Sequence, residues 1–145
     1  MFERPHHQRI AHVLAALDGA VLAQHQCRFG GGTCIALQTP PASDQVCGVS
    51  ALTALDLATS KLLANTDRQA DDGVFSRDLI DLTMMDLPLP QLRSAVDKAT
   101  QAYGPAITRD LAKAIDRAEQ LPKAMVWQKI RRLNRLRPQP KVVKT

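Results

Sequence analysis

Aromatic side chains are scarce in this chain: among its 145 residues only Phe2, Phe29, Phe75, Tyr103 and Trp127 carry one. So few argue against an aromatic-rich β-sandwich or barrel, and against nucleic-acid binding that stacks bases on aromatic platforms. Long apolar runs are missing too. No stretch approaches the ~18 residues that a membrane-spanning helix needs, so no membrane partner is expected. No secretory signal is visible, because the start carries Glu3, His6 and His7 and the apolar run 13–17 ends at Asp18-Gly19. Cysteine is limited to Cys27, Cys34 and Cys47, an odd number spaced C-x6-C and C-x12-C with no CxxC. That usage predicts a reduced, cytoplasmic protein with buried thiols. His25 is the one nearby fourth ligand, and the spacing does not suit zinc, so no metal site is expected. His6, His7, His12 and His25 have no Ser or Cys at a readable spacing, and no nucleophile–base pair stands out.

Acidic residues are absent from one whole region. Positions 123–145 hold eight basic residues and no acid, which leaves 11 basic and 14 acidic groups elsewhere, a net of −3. The overall charge of +5 therefore describes a mildly acidic body with a strongly basic end. What is abundant is Leu and Ala, which favour helices. The length suits one domain with a real core.

Apolar spacing predicts the elements. Ile10, Val13, Leu14, Leu17, Val21 and Leu22 predict an amphipathic helix over 6–25, with Gly19 as its weak point. Residues 27–29 read as a short extended segment, followed by the turn Gly30-Gly31-Gly32 and a short helix through Leu37 that Thr33 could cap. Residues 39–50, with Pro40-Pro41, read as a junction loop. Ser50 or Thr53 can cap a helix that bears Leu55, Leu57, Leu62 and Leu63; residues 65–73 read as a polar connector. Further helices follow over 74–85, from Pro88 to about residue 102, from Ile107 to before Pro122, and over 125–136. The expected fold is mainly α: a small multi-helix bundle with a vestigial strand and glycine turn. Leu14, Leu17, Leu57, Leu62, Leu79, Leu82, Leu111 and Ile115 are its predicted core. The chain divides into an N-terminal part (1–38), the junction (39–50), a helical part (51–122) and a basic helix and tail (123–145).

Three local patterns could carry chemistry. A strand, glycine turn and helix start at Phe29-Gly30-Gly31-Gly32-Thr33 can cradle a phosphate on backbone N–H groups, although no Walker or G-x-G-x-x-G motif is present; a plain tight turn has the same pattern. Lys61 and Arg68 lie seven residues apart, about two helical turns, and can share a face. Such a pair can hold a triphosphate or sit on a solvated surface. Asp78 and Asp81 are neighbours at one helical turn and would repel each other without a nearby cation. They could bind a metal, position Lys61 or Arg68, or form a structural ion pair.

Taken in order, FGGGTCIAL, DLATSKLLANTDR and VFSRDLIDLTMM resemble the AbiEii/AbiGii-type nucleotidyltransferases, the toxin family of abortive-infection and toxin–antitoxin systems. The resemblance spans residues 6–38 and about 46–120. It implies that Gly31, Gly32 and Thr33 form the phosphate-binding turn, that Lys61 and Arg68 contact the nucleotide, and that Lys61, Asp78 and Asp81 belong to the catalytic set. Mg²⁺ and a nucleoside triphosphate would be its cofactor and substrate, and an antitoxin protein a partner. The family's Asp-x-Asp pair is missing: no two aspartates stand two apart anywhere in the chain. Nucleotidyl transfer needs such carboxylates to hold Mg²⁺ against the phosphates. The resemblance thus implies an internally shortened, degenerate member that keeps at most phosphate binding. The alternative is a helical binding module whose basic residues 123–145 contact RNA, DNA or an acidic partner by charge; a solubilising tail is the plainer reading of the same residues.

Overall fold

Pro5 opens the first helix because its fixed φ suits an initial helical position and its missing N–H is not needed there. The computed structural model describes residues 4–37, 45–71, 77–120 and 127–137. The fold is mainly α, as expected. Helix α1 is Pro5–Ala15 and α2 is Gly19–Gln24. The single helix predicted over 6–25 is therefore broken. Asp18 causes the break: its carboxylate accepts from the backbone N–H groups of Ala20 and Val21, both at 3.0 Å, and so starts a new helix. The change of direction takes Leu17 out of the core, where it is 46% exposed, contrary to its predicted burial. Leu14 remains buried.

The vestigial strand expected at 27–29 is represented by one paired residue. Phe29 forms a single parallel bridge to Ala51. Its N–H donates to Ser50 O at 2.7 Å, and its carbonyl accepts from Leu52 N–H at 2.8 Å. The predicted junction loop also needs correction at its end. Strands β1 (Gln45–Val46) and β2 (Val49–Ser50) form an antiparallel hairpin with Val46 opposite Val49. Cys47 and Gly48 both have positive φ, 50° and 81°, as a two-residue hairpin turn requires. Both valines are buried, and the hairpin supports α2 from below the Gly19 end. Residues 39–44 of the predicted junction lie outside the described residues.

Helix α3 is Gly32–Leu37, α4 Ala54–Arg68, α5 Arg77–Met84, α6 Leu89–Tyr103 and α7 Ala106–Glu119. Thr53, not Ser50, caps α4: its Oγ1 accepts from Asp56 N–H at 3.1 Å. Gly104, at φ 64°, ends α6 before Pro105. Helix α4 is central and packs on α5, α6 and α7. Leu57, Leu62, Leu79, Leu82, Leu111 and Ile115 are buried as predicted. Ala58, Ala95 and Ala99 are fully buried and let the helices approach closely. The predicted connector 65–73 starts too early, because α4 continues to Arg68 and Asn65 is buried within it. Val74 and Phe75, read as the start of the next helix, lie outside the described residues.

Helix α8 (Trp127–Leu133) passes into a 3-10 turn, Asn134–Leu136. Ile130, Leu133 and Leu136 are buried, and the segment packs against α5, α6 and α7. The basic segment is thus part of the core as well as a carrier of charge. Arg132 reaches Asp86 at 2.6 Å, and Arg137 pairs with Asp116. Among the thiols only Cys34 is buried; Cys27 and Cys47 are exposed, which corrects the expectation of three buried thiols. Burial pushes the Cys34 thiol above the usual range, so it stays protonated. No helix among the described residues is long and apolar enough to cross a membrane.

Candidate functional site

Helix α4 presents Lys61 and Arg68 toward α5, and α5 presents Asp78 and Asp81 back. Lys61 Nζ lies 3.2 Å from Asp78 Oδ1 and 2.6 Å from Asp81 Oδ2. Arg68 Nη2 donates to the same Asp78 oxygen at 3.0 Å. The Asp78 side chain is 4% exposed and that of Lys61 10%, so water screens these charges little. Two carboxylates and two cations make a neutral cluster. Its members act on one another, because the lysine relieves the repulsion between aspartates one turn apart. Asp81 Oδ2 has the close charge of Lys61 but no aligned hydrogen bond from any donor.

The glycine turn arrives at this cluster from the N-terminal part. Gly31 adopts φ 89°, and Ile35 N–H donates to its carbonyl at 3.2 Å as α3 begins. A Cβ on Gly32 would lie 2.7 Å from Asp81 Oδ2 and 3.5 Å from Lys61 Nζ. The absence of a side chain at Gly32 is what lets the backbone approach the charged group. The structure therefore brings Gly32, Lys61, Asp78, Asp81 and Arg68 together, with Gly31 next to them. The Thr33 backbone belongs to α3, while its side chain lies outside the described ones.

The expected Mg²⁺ does not fit the donor set. The Lys61 ammonium already sits between the Asp78 and Asp81 oxygens that would ligate the ion, and a divalent cation there would have to expel it. Among the described residues no group of three His, Cys, Asp or Glu side chains is placed to hold a metal. The paired carboxylates position Lys61, one of the roles that their spacing allowed.

Comparison of the chain with protein-family models, with curated proteins and with solved structures returned no match. The site is thus defined by its own geometry.

Residues that sequence reasoning did not select stand beside the cluster. A small open cleft borders Arg68 and Asp78 and is lined also by Asn65, Arg77 and Arg117. Asn65 lies one turn after Lys61 on α4, so the helical period alone could have pointed to it. Arg117 comes from α7, and only the packing of α7 on α4 brings it here.

Proposed function

We propose that the protein is nucleotidyltransferase-like, of the AbiEii toxin type, and keeps a nucleotide-phosphate cradle without the means for transfer. One observation supports this reading above others. The glycine turn, the Lys61/Arg68 pair and the Asp78/Asp81 pair come from three separate stretches of sequence and meet in one cluster, with Lys61 and Arg68 on Asp78 and with Gly32 against Asp81 and Lys61. Backbone N–H groups at Gly31 and Gly32 receive a phosphate, Lys61 and Arg68 supply positive charge, and Asp78 and Asp81 hold Lys61 in place. The divalent ion that a nucleoside triphosphate brings with it is held by the nucleotide's own phosphates. An antitoxin protein is the natural protein partner in this reading.

Calorimetric titration with ATP, GTP, CTP and UTP in the presence of Mg²⁺ tests it. Binding is expected in the micromolar to millimolar range and is lost in Gly32→Val, whose side chain occupies the approach to Lys61. No heat from any nucleotide at millimolar concentration refutes the cradle. Incubation with labelled nucleotide and transfer RNA is expected to give no product, and robust label transfer refutes the loss of catalysis.

A second reading rests on α8. With Ile130, Leu133 and Leu136 turned inward, Arg131 and Arg135 are exposed one turn apart. Such a face can contact RNA by charge. Deleting residues 123–145 would remove core side chains as well, so the cleaner test is Arg131→Gln with Arg135→Gln. This change is expected to weaken RNA binding and flatten its salt dependence.

A further inference from the structure

Of the two carboxylates on Lys61, one is fixed and the other can be exchanged. Asp78 Oδ1 accepts from Lys61 Nζ at 3.2 Å and from Arg68 Nη2 at 3.0 Å, and its side chain is 4% exposed. Asp81 Oδ2 has Lys61 Nζ at 2.6 Å, but it makes no aligned hydrogen bond. The Asp81 side chain is 22% exposed, so part of it already meets solvent. Charge attraction without a directional bond holds it in, which makes this the easier of the two contacts to give up.

The place of that oxygen matters as much as its weak hold. A Cβ on Gly32 would meet Asp81 Oδ2 at 2.7 Å, and Lys61 Nζ would lie 3.5 Å from the same Cβ. The Asp81 oxygen therefore touches both the glycine turn and the lysine, the two groups that a bound phosphate has to touch. An ionised carboxylate has the sign of a phosphate and, like it, only accepts hydrogen bonds. Two such anions cannot share this spot, because like charges in contact repel strongly where water screens them little. Asp81 also has another cation to turn to. Arg77 is exposed and lies four residues earlier, one turn away along the same face of α5. A change of side-chain rotamer carries the carboxylate from Lys61 toward the Arg77 guanidinium with the helix in place.

We propose that Asp81 is a built-in competitor of the phosphate: its carboxylate closes the cradle on Lys61 and Gly32, and a nucleotide enters as Asp81 exchanges Lys61 for Arg77. The proposal rests on the nucleotide-phosphate reading above and adds the regulation of that site. Asp78 stays in place in both states and keeps Lys61 aimed at the turn. The affinity for nucleotide is then the intrinsic affinity of the open cradle reduced by the fraction of molecules in which Asp81 has left it.

Calorimetric titration of the full chain with ATP and Mg²⁺, parent against Asp81→Asn and Asp81→Ala, tests this. Both variants keep Asp78 as the partner of Lys61 and should fold, which thermal unfolding verifies. Both are expected to bind ATP roughly tenfold or more tightly than the parent, because each removes a like charge from a weakly screened site. Arg77→Gln is expected to weaken ATP binding in the parent and to have no effect in the Asp81→Asn background, where no carboxylate needs a second partner. In carbon-13 spectra of the parent, the Asp81 carboxylate resonance should move on saturation with ATP while that of Asp78 holds. Binding by the parent with unchanged or lower affinity in folded Asp81→Asn and Asp81→Ala overturns the competitor role and leaves the cradle standing. No binding by the parent or by either variant refutes the cradle itself, and the competitor role with it.

Discussion

Gly19 shows how a single missing side chain fixes a whole end of the molecule. A Cβ there would lie 2.1 Å from the backbone carbonyl oxygen of Gly48, at the hairpin turn. That neighbour is main chain inside a tight turn and cannot rotate away. Gly19→Ala is therefore expected to cost about 1–3 kcal/mol or more, the range for overpacking a filled site, by separating α2 from the hairpin. Urea unfolding checks it: a midpoint within error of the parent would mean that the hairpin shifts freely. At Gly32 the opposing atom is the mobile end of the Asp81 side chain, so the same substitution there disturbs the site more than the fold. Sequence reading saw Gly19 as a weak helical position. The actual reason, a contact with residue 48, has no local signature. The site residues were more legible, because a lysine and a carboxylate pair at helical spacing each call for a partner of opposite sign. Arg117 was not legible, since only the packing of α7 on α4 brings it beside the cluster.

The elements are joined by unequal ion pairs, and burial decides which of them matter. Lys61 bridges α4 to two acids on α5 in a nearly closed setting, whereas the Arg68 side chain is 47% exposed. Removing Lys61 leaves the buried Asp78 with Arg68 alone and the partly buried Asp81 without its cation. Lys61→Ala is expected to cost about 3–5 kcal/mol, and Arg68→Ala about 1 kcal/mol or less. Equal losses in chemical denaturation would show that the cluster is solvated and does not clamp the two helices. Periodicity revealed these helices well, because Leu57, Leu62, Leu79, Leu82, Leu111 and Ile115 fall on faces that do pack inward. It failed where a short-range event intervened. Asp18 restarted a helix that the apolar pattern runs through, and Cys47-Gly48 makes a hairpin turn without the Asn-Gly or Asp-Gly that usually announces one. In α8 the signal was present: Ile130, Leu133 and Leu136 recur every three residues, but the surrounding arginines drew the eye to charge.

Across the whole molecule, acid is the condition that should find the fold's weak points. Hydrogen bonds from Lys98 and Thr53 hold the Asp56 carboxyl below the usual carboxylate range, and a hydrogen bond from Arg109 does the same for Asp110, with Lys113 adding to it. In the unfolded chain both should titrate near ~3.9. Because their folded values are lower, their contribution is complete above roughly pH 5 and is lost as pH falls through their folded values. The thermal midpoint is thus expected to hold from neutrality to about pH 5 and to drop below pH 4. Asp110→Asn should make that drop shallower; an unaltered acid limb would assign it to other groups. Charge also sets how the basic end relates to the body. Arg132 and Arg137 are matched by Asp86 and Asp116, so part of the excess positive charge is spent internally.

The two hydrogen bonds that tie Phe29 to Ser50 and Leu52 have a bearing on how such a chain can change over time. They join the ends of a stretch of about twenty residues, from the glycine turn to the hairpin, as a clasp joins the ends of a cord. Because the clasp lies outside the cord, its geometry is indifferent to the cord's length. Doubling the length of a closed loop costs only about 0.6 kcal/mol in closure entropy. Insertion and deletion between residues 37 and 45 should therefore be the cheapest large edits open to this sequence, and relatives that share its helices can be expected to differ there in length before they differ anywhere else.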